Sequence, residues 1–171
     1  MTQTGARLLL LTALTAFAGC GRAPADNYPM AEARAQFLLA AEPEGAVSIV
    51  DAREELAGGG PIVLVGRVGG GEQSWVDGQA AFVMRDPSLD TAGEHGHECS
   101  DGDFPFCAKK RSKTDGLAVV HFLGANGKPV PVAARQLFDL NENATVVVRG
   151  KASVTPLGML VVAASGIYVR R

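Results

Sequence analysis

Between Glu94 and Cys107 the chain reads EHGHECSDGDFPFC, which gathers His95, His97, Cys99 and Cys107 into one short, glycine-containing stretch. Two imidazoles and two thiolates suit a tetrahedral zinc ion or a copper ion. In an extended chain His95, His97 and Cys99 fall on one side, because alternate residues share a face, and Cys107 could return across a loop to close the set. The spacing matches no paired Cys-x-x-Cys template. The same two thiols can instead pair with each other, leaving the imidazoles exposed. In an oxidising compartment a Cys99–Cys107 disulfide is a full competitor for a metal. Both readings stay open. Glu94, Glu98, Asp101 and Asp103 fit no calcium-loop spacing and read as a solvated acidic face.

The start of the chain bears on that choice. Arg7 precedes the apolar run Leu8 to Phe17, which is too short to span a bilayer as a stable helix and has the form of an export signal over residues 1–19. Phe17-Ala18-Gly19-Cys20 (FAGC) resembles the lipobox of bacterial lipoproteins, with Phe17 where Leu is more usual. The resemblance implies lipidation at Cys20, after cleavage, and a place in the bacterial cell envelope, on the periplasmic or cell-surface side. Gly21 rather than Asp after the Cys further implies no retention at the inner membrane. Of the three Cys in the chain, only Cys99 and Cys107 would then remain for a disulfide or a metal.

The elements that must present the stretch follow in order. Residues 20–45 read as a lipid-anchored tether with a short helix. GRAPADNYP is small and Pro-containing, and Met30 to Ala41 is rich in helix formers, with Glu42-Pro43-Glu44-Gly45 stopping the helix. Residues 46–171 read as one β-domain. After AVSIVDAREELA, with Asp51 as the expected N-cap and Glu54 three residues on, strands are predicted over Ile62–Val68, Gln79–Arg85, Leu117–Leu123, Thr145–Ser153 and Met159–Val169, the last interrupted at Ser165-Gly166. Asn126-Gly127 predicts a tight turn, Lys128–Val132 a short return strand, and Ala133–Leu140 one or two helical turns. The His/Cys stretch sits in an insertion over residues 87–114. The 21 Gly and 6% aromatic content suit short strands and tight turns better than a helical bundle.

Five principal strands with a short helix between the third and fourth is the order of an OB-fold, so the expected class is mainly β: a five-stranded OB-like Greek-key barrel with a short N-terminal helix and a His/Cys loop insertion. Two segments carry the resemblance. SIVDAREELAGGGPIVLVGRV is similar to the entry of OB domains of the tRNA-anticodon-binding type. TVVVRGKASVTPLGMLVVAASGIYV is similar to their closing hairpin, with Gly150 where such barrels bend sharply. Over residues 46–171 the chain also resembles uncharacterised OB-like bacterial lipoproteins with a Cys-rich insertion holding a Pro-aromatic-Cys element, here Phe104-Pro105-Phe106-Cys107. That resemblance implies a fold and brings no activity.

A formal charge of −2 gives no general pull toward nucleic acid. No Gly-x-Ser-x-Gly elbow, phosphate loop or Cys-x-x-Cys pair occurs, so no catalysis is expected. Trp75, beyond the Gly69–Gly71 run, with Arg67 and Arg85, is the candidate ligand contact. The expected function is a lipid-anchored envelope binding or structural module, whose partner is an unknown envelope protein or a small ligand. One alternative is zinc or copper handling through His95, His97, Cys99 and Cys107. Another is single-stranded nucleic acid or glycan binding on the barrel face, although Phe82 and Phe122 read as core residues and an envelope address argues against nucleic acid.

Overall fold

A computed structural model describes residues 29–56, 58–70, 73–91 and 113–171. The described residues open with helix α1 (Met30–Phe37) and helix α2 (Ile49–Glu55). Strands β1 (Gly60–Val68) and β2 (Ala81–Arg85) follow, then the single turn α3 (Ser88–Thr91). A 3-10 turn at Lys113–Gly116 leads into β3 (Leu117–Phe122), α4 (Ala134–Phe138), β4 (Thr145–Val154) and β5 (Leu160–Val169). The strands close into a barrel in the order β1-β2-β3-β5-β4, antiparallel except for the parallel β3–β5 pair. A mainly β, closed five-stranded barrel with few helices is consistent with an OB-like barrel.

Alternation makes the barrel. Along β3 the side chains of Ala118, Val120 and Phe122 are buried, and those between them are half-exposed. Cross-strand register carries the inward row round the wall, as in Phe82↔Val120↔Val162. Phe122 is the hinge of the interior. Its ring lies 5.2 Å from Phe37 of α1, 6.4 Å from Phe82 and 4.6 Å from Phe138 of α4, so both end helices lock onto one aromatic centre.

Close approach rather than flexibility explains two glycines. A Cβ on Gly150 would sit 2.4 Å from the Ala163 carbonyl oxygen and 2.9 Å from the Ala164 Cα. At that point the β4–β5 register slips, from Arg149↔Gly166 to Gly150↔Ala164, leaving Ser165 as the extra residue of a bulge. The interruption expected at Ser165-Gly166 is this bulge. A Cβ on Gly70, with φ +154°, would lie 2.7 Å from Leu117 and 3.0 Å from Val83. Gly70 thus presses onto the outer face of β2 and β3.

The N-terminal segment completes the wall. α1 ends at Phe37, short of the expected Ala41, because Leu38 turns extended and bridges Ile167 in parallel, with the Leu39 N–H donating to the Ile167 carbonyl at 2.8 Å. β3 pairs with β5 only as far as Ala164, so Leu38 and Leu39 continue its place along that edge. Val47 does the same for β1, donating to Val63 and accepting from Val65 beside the part of β1 that β2 leaves uncovered. Arg170 then donates to Glu42 through Nε at 3.0 Å, and the pairing holds the exposed Glu42 carboxyl below its ordinary range.

Ser48, not Asp51, caps α2. Its hydroxyl oxygen accepts the Asp51 N–H at 3.1 Å, and its proton goes to the Asp51 carboxylate at 2.8 Å. Ser48→Ala is expected to cost about 1 kcal/mol in a urea melt, since the first-turn N–H loses its acceptor. An unchanged midpoint would show that the cap contributes nothing. The expected return strand shrinks to a Leu123–Pro129 bridge and a Val130 N–H to Phe122 bond, because Pro129 and Pro131 have no N–H to donate.

Candidate functional site

Inward alternation along β2 runs Phe82, Met84 and then Asp86, a carboxylate delivered to the mouth of the barrel with 1% of its surface exposed. It is held there by three hydrogen bonds, from two residues. One oxygen accepts the Val50 N–H at 3.0 Å, from the first turn of α2. The other accepts the Ser88 N–H at 2.9 Å and the Ser88 hydroxyl at 2.7 Å. Burial alone would push the Asp86 pKa up; the bonds from Ser88 and Val50 outweigh it and hold the carboxyl below its ordinary 3.8. Asp86 is therefore a negative post joining β2, α2 and α3.

The return limb meets the same post. The Asp86 N–H donates to the Gly116 carbonyl at 2.8 Å, and the Leu89 side chain lies over Gly116, where a Cβ would approach it to 2.7 Å. Arg53 of α2 pairs with Asp115 at 3.6 Å and also donates to the Gly158 carbonyl in the β4–β5 turn. Both feet of the insertion, α2 and that turn thus form one platform. The turn itself carries an apolar tip: Leu157 is 94% exposed, flanked by exposed Val154 and Met159.

The insertion residues expected to do chemistry, His95, His97, Cys99 and Cys107, lie outside the described residues, as do residues 1–19, Cys20 and residues 21–28 of the tether. Among the described residues no group of three or more His, Cys, Asp or Glu could hold a metal ion, and no helix is long and apolar enough to cross a membrane. His121 is half-buried in β3 between Ala81 and Ala163, four residues from the foot at Leu117, or about 13 Å along the strand. Burial lowers its pKa from 6.5.

The candidate contact set divides. Arg67 and Arg85 are cross-strand partners on the outer wall, beside Thr145, and Arg85 donates to the Asn143 side chain at 2.9 Å. Trp75 does not join them. Residues 74–76 pair with β2, placing Trp75 opposite inward-facing Phe82 with the rings 6.2 Å apart. Phe82 and Phe122 are fully buried, as expected of core residues, so neither offers a stacking surface on the wall.

Two clefts flank the segment joining α4 to β4. One, of about 800 Å³, runs between α1 and the end of β5, past Arg34, Tyr168 and Arg170. The other, of about 470 Å³, lies between the β1–β2 hairpin and α4, where Trp75 faces Arg135, Gln136, Leu140, Asn141 and Glu142. Sequence reasoning missed Asp86 and the α4 residues. Period-two counting along β2 marks Asp86 as inward-facing, whereas nothing local to ARQLF shows that it meets Trp75. No protein-family model matches the chain, and no curated protein is similar to it.

Proposed function

We propose that the chain is a lipid-anchored envelope module of OB type whose barrel serves as a mount, holding out its His/Cys insertion to a protein partner or small ligand without catalysis of its own. The observation that carries this reading is the platform. A buried, triply hydrogen-bonded Asp86, the Asp86–Gly116 bond and the Arg53–Asp115 pair fix both feet of the insertion to the barrel mouth. A carboxylate so deeply buried is a costly device unless what it positions matters. Lipidation at Cys20 would hold this mount at the membrane through a tether of about nine residues, spanning at most roughly 30 Å.

The test is an intact mass of the full chain extracted from envelope membranes, before and after thiol alkylation, with elemental analysis of the native protein. The expected result is a chain lacking residues 1–19 and carrying acyl mass on Cys20. It should be lighter by two thiol hydrogens and should resist alkylation until reduced. An unlipidated chain would overturn the anchoring. Stoichiometric zinc or copper, lost on His97→Ala, would replace the display reading with metal handling through His95, His97, Cys99 and Cys107.

A further inference from the structure

We propose that the cleft between the β1–β2 hairpin and α4 is a saccharide site, taking an uncharged sugar ring against Trp75. The site lies at the opposite end of β2 from the platform, with Trp75 beside Phe82 and so about 13 Å from Asp86 along the strand, and asks nothing of Cys99 or Cys107. Its wall is one rigid aromatic. Trp75 is half-buried and backed by Phe82, itself fully enclosed, so the indole is held before any ligand arrives. Around it stand groups suited to hydroxyls. Arg135 and Gln136 project as exposed side chains from α4, and Asn141 and Glu142 rise from the segment that follows. Planar amide, carboxylate and guanidinium groups offer paired donors and acceptors, the pattern that meets neighbouring hydroxyls on a ring. Among the described residues none of these side chains, nor the indole N–H, is used in a bond to another. A volume of about 470 Å³ falls within the range of small-molecule sites and suits a small saccharide.

The charge of the cleft selects the ligand class. Arg135 is outnumbered by Asp139 and Glu142, so a phosphodiester strand would be repelled rather than drawn in. An apolar ligand would leave the polar wall unmet. A neutral polyol with one apolar ring face satisfies both sides. The segment is also set in a fixed shape: Asp139 (φ 55°) and Asn143 (φ 65°) are the non-glycine left-handed residues among those described, and they bracket Leu140, Asn141 and Glu142.

Trp75 is the only Trp in the chain, so its emission reports this cleft and nothing else. The full chain, in buffer free of sugar-headed detergents, is titrated with diacetylchitobiose, maltose and cellobiose. At least one should shift the Trp75 emission saturably. Gln136→Ala should weaken that binding about tenfold with the thermal midpoint unchanged, as loss of one ligand hydrogen bond implies. Trp75→Phe, which keeps an aromatic on Phe82, should weaken it comparably by calorimetry. The proposal is overturned if none of the three sugars gives a saturable response up to its solubility, or if the response survives both substitutions. A response to oligothymidylate but not to sugars would also overturn it, in favour of strand binding.

Discussion

Gly150→Ala is expected to lower stability by about 3 kcal/mol, roughly a 10 °C fall in Tm for a domain of this size. The position has no room for even one methyl group. The obstacle is backbone, the Ala163 carbonyl at 2.4 Å and the Ala164 Cα at 2.9 Å, and backbone in a closed barrel cannot swing aside as a side chain can. Relief would require β4 and β5 to separate where their register already slips at the Ser165 bulge. Gly150→Val should go further and leave the hairpin unable to close. Thermal melts followed by circular dichroism decide the matter. A loss below about 1 kcal/mol for the Ala variant would show that the bulge absorbs the clash.

The second large effect is at Asp86. Asp86→Ala removes the acceptor for three donors and should cost about 3 kcal/mol, leaving the buried Val50 N–H unmet. Asp86→Asn should fall between, since an amide keeps one accepting oxygen and turns a donor toward groups that are themselves donors. The pH dependence has a definite sign. Because the folded carboxyl is held below 3.8, the unfolded chain takes up its proton first as the solution is acidified. The stabilisation is therefore complete above the ordinary value and is lost as pH falls through the lower, folded one. Denaturant melts across this acid range should show a steeper loss in the wild type than in Asp86→Asn. Parallel curves would mean that the fold does not lower the Asp86 pKa. Hydrogen exchange at Val50 and Ser88 gives a local readout, with faster exchange expected in both variants.

What could be read from the sequence divides along a physical line. Features written into neighbouring residues were legible. Alternation placed all five strands within a few residues, Asn126-Gly127 marked its turn, and the Ser165-Gly166 break was a bulge. Features decided by distant partners were not. α1 stops at Phe37 because the Ile167 carbonyl offers Leu39 a bond that continued helix could not use. Residues 48–54 contain overlapping capping patterns, and the Val50–Asp86 bond goes with the start at Ser48. Trp75 follows the Gly69–Gly71 run, yet Gly70 is pressed against Val83 and Leu117 and residues 74–76 pair with β2. For the candidate site the division is the same. The pairing of Arg67 with Arg85 follows from strand register, while the meeting of Trp75 with α4 crosses some sixty residues.

β5 is the common partner of β3, β4 and Leu38, and its end holds Glu42 through Arg170. The last strand of the barrel is thus the one that every closing contact waits for. During synthesis β1 to β4 have no closed sheet to join, and Leu38 has nothing to bridge until a partner more than a hundred residues later appears. Long-range closure of this kind is slow and comes as one late event rather than by stages. A chain built so cannot close its barrel until its final strand has been made. The order of strands then sets the moment of folding as well as its shape.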